Sequence, residues 1–257
     1  YNQTVTIPYN TNSKSREHDE PWPGGRANHY LYDLNRDWAW ITQTESKSRL
    51  KIYNKWLPHV HVDYHEQGID NPYYFAPAVE PYHEIISKWQ RDFQKEIGKN
   101  NAKYFDQNGW LYFTKETFDL LYPSYGDTYP TYLGAIGMTY EKAGGGVAGL
   151  GILNSENKVL TLVDRVNHHT TTGISTVEIS SINAKKLNDE FKLFFNNNSE
   201  VKNYILRGEK DKIDTLKELL DQHEIIYSSG KPNKTSAYSY NKNENKNIEI
   251  KNSDLII

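Results

Sequence analysis

Three imidazoles and two carboxylates alternate with other residues in His59-Val60-His61-Val62-Asp63-Tyr64-His65-Glu66-Gln67-Gly68. Imidazole beside carboxylate at the end of a strand holds a metal ion or moves a proton. Two further stretches carry compatible chemistry. Asn35-Arg36-Asp37-Trp38 pairs a planar guanidinium fork with an amide, a combination suited to gripping a terminal carboxylate. Met138-Thr139-Tyr140-Glu141 ends an apolar run on a carboxylate. Burial among apolar neighbours raises such a carboxyl towards the range of a working general base. Each stretch also has an ordinary reading. His65-Glu66 can be a polar strand end, Arg36 can pair with Asp33 or Asp37 on the surface, and Glu141 can face water.

The elements that must position these groups follow from periodicity. In an extended strand Val60, Val62 and Tyr64 share one face, and His59, His61, Asp63 and His65 share the other. Residues two apart on a strand stand about 7 Å from each other. That spacing disfavours a zinc site built from His59, His61 and His65 alone, so His65 is preferred as a ligand and the other two as structural. Tyr30–Leu34 reads as a short strand. A helix after the capping-box-like Thr42-Gln43-Thr44-Glu45 presents Leu50, Tyr53 and Trp56 or Leu57 on one face. A second helix is expected from near Pro81 to Gly98, with Ile86, Trp89, Phe93 and Ile97 on one face. Trp110–Phe113, Ala135–Tyr140 and Val159–Leu162 read as strands, Tyr122–Tyr132 as an ordered surface loop, and about Thr171–Phe195 as one long helix. Residues 1–20 read as polar loop, Pro21–Arg26 as a turn cluster, Gly144–Gly146 as a flexible segment and Asn196–Ser199 as a boundary. Beyond it Tyr204–Leu206, Ile225–Tyr227 and Ile248–Ile250 read as strands, with a helix through Ile213, Leu216, Leu219 and Leu220. Alternating strands and helices over the first 200 residues imply an α/β sheet with helices on its faces, followed by the start of a small second α/β unit.

Composition sets outer bounds. The 257 residues can bury a substantial core. With 30 Lys+Arg against 33 Asp+Glu, no basic excess points to nucleic acid. The chain has no cysteine, so any metal must be held by His and carboxylates. No stretch approaches the roughly 18 continuous apolar residues of a membrane span. Tyr is abundant at 20 residues, which lowers the weight of any single Tyr as a catalytic group.

Taken in order, Asn35-Arg36-Asp37-Trp38, Val62-Asp63-Tyr64-His65, Tyr122 to Asp127 and Gly137-Met138-Thr139-Tyr140-Glu141 resemble the zinc metallocarboxypeptidase family of the carboxypeptidase A type, in a bacterial branch. The likeness covers about residues 20 to 195. It implies a mixed, mostly parallel central sheet with helices on both faces, one Zn2+ ion, a peptide substrate losing its C-terminal residue, and an extracytoplasmic or secreted location. It implies His65 as a zinc ligand, Asn35 and Arg36 as holders of the substrate carboxylate, and Glu141 as general base. Tyr122, or else Tyr125, would be the tyrosine closing on substrate, and Arg26 would polarise the scissile carbonyl. The family draws its first two zinc ligands from an upstream His-x-x-Glu. None of the nine His here has Glu three positions later.

The expectation is therefore of a partial catalytic domain over residues 1–198 and an incomplete small segment over 199–257. It extends to a chain that binds zinc weakly or not at all by itself. A competing reading is a catalytically inactive, aromatic-rich module that binds peptides or glycans.

Overall fold

The computed structural model describes residues 25–145, 148–196 and 203–257. The polar loop expected over residues 1–20 lies outside them, as do most of the Pro21–Arg26 turn, Gly146 and Asn197–Ser199. The described residues form two compact units, one within residues 1–46 and 56–196 and the other within 47–55 and 197–257.

The elements of the first stretch are α1 (Thr44–Trp56), β1 (Val60–Gln67), β2 (Tyr73–Tyr74), β3 (Val79–Tyr82), α2 (Lys88–Asn108), β4 (Tyr112–Phe113), β5 (Asp119–Leu120), α3 (Thr128–Tyr132), β6 (Ile136–Ala143), β7 (Gly151–Leu153), β8 (Val159–Thr161), α4 (Leu162–Ile182) and α5 (Ala184–Phe195). Residues 47–55 of α1 group with the second unit. The fold is mixed α/β. Its main sheet has four strands in the order β1-β6-β2-β4, with β1–β6 and β2–β4 parallel and β2–β6 antiparallel.

Strand β6 is buried along its whole length. Its alternation splits the molecule chemically. Ile136, Met138 and Tyr140 join Val60 and Val62 of β1 against Phe93, Ile97 and Phe105 of α2. Burying each such side chain contributes about 1.5–3 kcal/mol. Helices α2 and α4 meet Tyr140 from this side, since Asn101 donates to its hydroxyl and Thr176 shares a 2.7 Å hydrogen bond with it. Leu187 of α5 joins the same cluster. On the opposite face of β6 lie Gly137, Thr139 and Glu141, next to the one-turn helix α3. Tyr122–Tyr132 is thus not a surface loop throughout: Ser124 and residues 126–131 are buried.

Several elements differ from their sequence reading. Tyr30–Leu34 forms turns and a 3-10 helix at Leu34–Arg36 rather than a strand. Side chains capture the backbone there: Asn28 Oδ1 accepts from Tyr30 N and Tyr32 N, and Asp33 Oδ1 accepts from Asn35 N. Helix α2 starts seven residues past Pro81, where Ser87 and Gln90 make a reciprocal capping box. It runs through Gly98 to a left-handed cap at Gly109. Gly98 is there for packing, because a Cβ would meet Ala76 O at 2.3 Å. The single helix expected at 171–195 is two, broken at Asn183, and the first begins at Leu162 behind a Thr161–Asp164 capping box.

Buried glutamines tie α2 to the sheet. Gln90 Nε2 donates to Thr131 O and Ala135 O at 2.8 Å each, and Gln94 Nε2 donates to Gly137 O at 2.8 Å. Gln90→Leu keeps the volume and removes both bonds, so chemical denaturation should show a loss of about 2 kcal/mol. A loss under about 0.5 kcal/mol, the ordinary range of surface changes, would mean these bonds do not hold α3 in place.

The second unit contains β9 (Ile205–Leu206), α6 (Lys210–Gln222), β10 (Ser228–Ser229), β11 (Asn233–Ser239), β12 (Glu244–Ile250) and β13 (Leu255–Ile256). Strands β10-β13-β9 form an antiparallel sheet, and β11–β12 form a hairpin. Arg207 grips the buried Asp254 with Nε and Nη2 at 2.7 and 2.6 Å. Ile225–Tyr227, expected as a strand, precedes β10, and Ile226 is almost fully exposed.

Candidate active site

The β1–β6 register brings the sequence candidates together. The strands run parallel, with His65 opposite Glu141 and Asp63 opposite Thr139. Both candidates fall in the C-terminal halves of their strands, the end at which α/β sheets place ligands. Alternation turns Asp63 and His65 to the same side as Glu141.

His65 is fixed by its neighbours. Its Nε2 lies 2.8 Å from Asp63 Oδ2 and 2.8 Å from Asn35 Nδ2. Asn35 Nδ2 also donates to Asp63 Oδ2 at 3.0 Å. The Asp63 hydrogen bond holds the imidazole above its ordinary pKa, against the opposing effect of burial. Burial pushes the Asp63 carboxyl up, but the bonds and charge of His65 and the bond from Asn35 outweigh it and leave the carboxyl below its ordinary value.

Asn35 is used internally. While Nδ2 serves Asp63 and His65, its Oδ1 accepts from Trp38 Nε1 at 3.2 Å and from Gly126 N at 2.9 Å. A Cβ on Gly126 would fall 2.3 Å from Asp63 Oδ2 and 2.4 Å from Asn35 Oδ1. The residue read as a grip for substrate is thus a hub joining β1 to the 122–127 segment. Sequence reading also passed over Asp63, although the alternation placed it beside His65.

Glu141 is 8% exposed, and its buried Oε2 has no hydrogen-bond partner among the described residues. Burial pushes its carboxyl up to about 7, against the attraction of His65. Asp127, more deeply buried, is pushed up to about 6 by burial, with Thr128 Oγ1 donating to it at 3.1 Å. Burial thus holds both carboxyls above the ordinary carboxylate range.

Arg26 is exposed and pairs with Asp33 at 2.9 Å. It lines an open cleft of about 690 Å³ with Tyr64, His65, Glu66, Gln67 and His169. A second, more apolar cleft of about 470 Å³ shares Tyr64 and His169 and continues over Gly173, Ile174 and Val177 of α4. Among the described residues Arg36 forms no ion pair with Asp33 or Asp37; its guanidinium lies 4.4 Å from the centre of the Tyr125 ring. Asp37 instead accepts from Thr42 N, Thr42 Oγ1 and Gln43 N ahead of α1. Tyr122 packs on Tyr125 at 4.9 Å, and its hydroxyl accepts from Trp40 Nε1 at 2.7 Å.

The three strand histidines do not converge. The His59 ring lies 4.3 Å from Phe191, and the His61 ring lies edge-on to Trp38 at 5.6 Å. His169 shares a 2.7 Å hydrogen bond between Nδ1 and Tyr73 Oη. Among the described residues no three His, Asp or Glu come together as a metal-holding group. What the described residues bring together is a single imidazole, His65, opposite a single buried carboxyl, Glu141, on neighbouring strands. No protein-family model matches the chain, and no curated protein or solved structure is significantly similar to it.

Proposed function

We propose that this chain carries the proton-transfer half of a zinc-dependent hydrolase of the carboxypeptidase type, with its remaining zinc ligands supplied from outside the described residues. The carrying observation is the pairing of His65 with Glu141, whose buried Oε2 has no partner among the described residues and whose carboxyl is pushed up to about 7. A zinc ion, when bound, acidifies its water and polarises the carbonyl to be attacked.

The protein's own groups have the following work. His65 offers its imidazole, held in orientation by Asp63 and Asn35. Glu141 accepts a proton from the attacking water and returns it to the departing amine, a task that suits a carboxyl titrating near 7. Arg26 stands at the cleft beside His65 to stabilise negative charge on the carbonyl oxygen. Arg36 takes the substrate's terminal carboxylate through its edge, while Tyr125 covers one face of the guanidinium. Tyr122 closes on substrate only after releasing the Trp40 hydrogen bond.

Two measurements test the reading. Metal analysis of this chain after dialysis against Zn2+ should find well under one ion per chain, because one imidazole does not hold zinc tightly. A longer polypeptide that includes this chain and contributes two further ligands should release the C-terminal residue of a free peptide, and should lose that release on His65→Ala. Peptide binding without turnover, unchanged by His65→Ala, would overturn the hydrolytic reading in favour of a binding module.

A further inference from the structure

Trp40 is 52% exposed and Tyr122 is 38% exposed, yet neither ring is loose. The indole N–H donates to the Tyr122 hydroxyl at 2.7 Å, and the Tyr122 ring rests on Tyr125, which lies under Arg36. The two segments carrying these rings are cross-braced by the fully buried Ser124. Its Oγ donates to Arg36 O at 2.8 Å and accepts from Ala39 N at 2.9 Å, and its carbonyl accepts from Trp38 N at 3.4 Å. Two exposed rings are thus joined by one hydrogen bond on segments braced through buried Ser124, with part of their entropy of ordering already met in folding.

The donors around these faces are unspent. The Tyr122 hydroxyl accepts from Trp40, and its own proton has no acceptor recorded among the described residues. Arg36 uses Nη1 on Asn35 O at 3.1 Å, and no bond is recorded for its Nε or Nη2 among those residues. Neither of the two clefts is lined by Trp40 or Tyr122.

We propose that Trp40 and Tyr122 form an open stacking shelf for a sugar ring, so that the natural ligand of this chain carries carbohydrate. A pyranose offers an axial C–H face to an aromatic plane and hydroxyl acceptors at its edge, which matches flat exposed rings flanked by free N–H and O–H donors. An aromatic peptide side chain is matched less well, because such groups bind in enclosed apolar pockets. A lipid surface is matched less well too, since the chain has a formal net charge of −3. The shelf shares Tyr122 and Arg36 with the hydrolytic reading and requires Tyr122 to keep its Trp40 hydrogen bond; a sugar-dependent shift at Trp40 without turnover, or turnover without that shift, tells the two apart.

The test uses the N-acetylglucosamine tetramer as probe, followed by the indole N–H resonances and by tryptophan fluorescence of the whole chain. The expected result is a saturable shift of the Trp40 indole resonance and about tenfold weaker binding in Trp40→Ala. Tyr122→Phe, which keeps the ring and removes the hydroxyl, should lose less. Trp40 is half exposed, so Trp40→Ala should keep its thermal midpoint; the wild-type indole shift reads the site even if that variant fails to fold. Absence of a saturable shift at Trp40, or equal binding in a folded Trp40→Ala, overturns the proposal. So does a shelf that responds only to a second copy of the chain or to an aromatic peptide and not to the sugar.

Discussion

Glu141→Gln is expected to lower hydrolysis by about 10³-fold in a polypeptide with a complete metal centre, while substrate binding persists. Gln keeps the size and the hydrogen-bonding carbonyl of the protonated acid and cannot take a proton. The same substitution should act oppositely on stability. Burial raises the Glu141 carboxyl from 4.5 to about 7, so between those values the folded chain holds a proton that the unfolded chain has released. The favourable contribution of the protonated group is complete below pH 4.5 and is lost as pH rises through about 7. The wild-type chain should therefore weaken between pH 5 and 8 by up to about 3 kcal/mol through this group, a ceiling set by the size of the shift. Urea titrations at the two pH values should show that slope shrinking in Glu141→Gln. Asp127→Asn is the internal control, because the Asp127 shift from 3.8 to about 6 places its effect at lower pH. A Gln variant with wild-type turnover and an unchanged pH slope would remove Glu141 from the mechanism.

What could be read before folding was what depends on local period. Alternation along Val60–His65 placed Asp63 and His65 on one face, and the structure puts them 2.8 Å apart. The pairing of His65 with Glu141 was not legible, because it needs the parallel register between strands separated by 76 positions. Glu141 could be named as a candidate from its apolar run, but its orphaned Oε2 is a property of the packed interior. Element boundaries failed where side chains outcompeted pattern. The Tyr30–Leu34 run has strand-forming residues, yet Asn28 and Asp33 bind the backbone and Leu31 adopts a φ of 66°. Helix α4 was missed at its start because Val159–Leu162 reads as a strand that runs into its first residue, although Thr161-x-x-Asp164 was a readable cap. Trp40 gave no sequence signal beyond being aromatic, since its role depends on Tyr122, 82 positions away.

Gly137→Ala is expected to do the greatest structural damage of any single methyl added near the site. A Cβ there would stand 2.0 Å from Asp127 O and 2.8 Å from Thr131 Cγ2. Neither neighbour can yield cheaply. Asp127 O is backbone, and Thr131 O is held by the buried Gln90 amide that also bonds Ala135 O. Gln94 holds the Gly137 carbonyl from the other side, so β6 cannot back away either. Relief requires moving the 126–131 segment outward. That movement would pull Gly126 N off Asn35 Oδ1, and Asn35 is the residue that braces Asp63 and His65. The expected loss is about 3 kcal/mol, at the upper end for overpacking, and a fall in thermal midpoint of about 6–12 °C. Gly68→Ala supplies the comparison, because its nearest neighbour is Asn71 Nδ2 at 3.6 Å, an ordinary contact. It should change stability by no more than about 0.5 kcal/mol. The two variants should also differ at His65, whose imidazole resonances should move in Gly137→Ala and stay in place in Gly68→Ala. Equal midpoints and equal His65 spectra would mean that α3 is not wedged against β6, and that the site is held together without this contact.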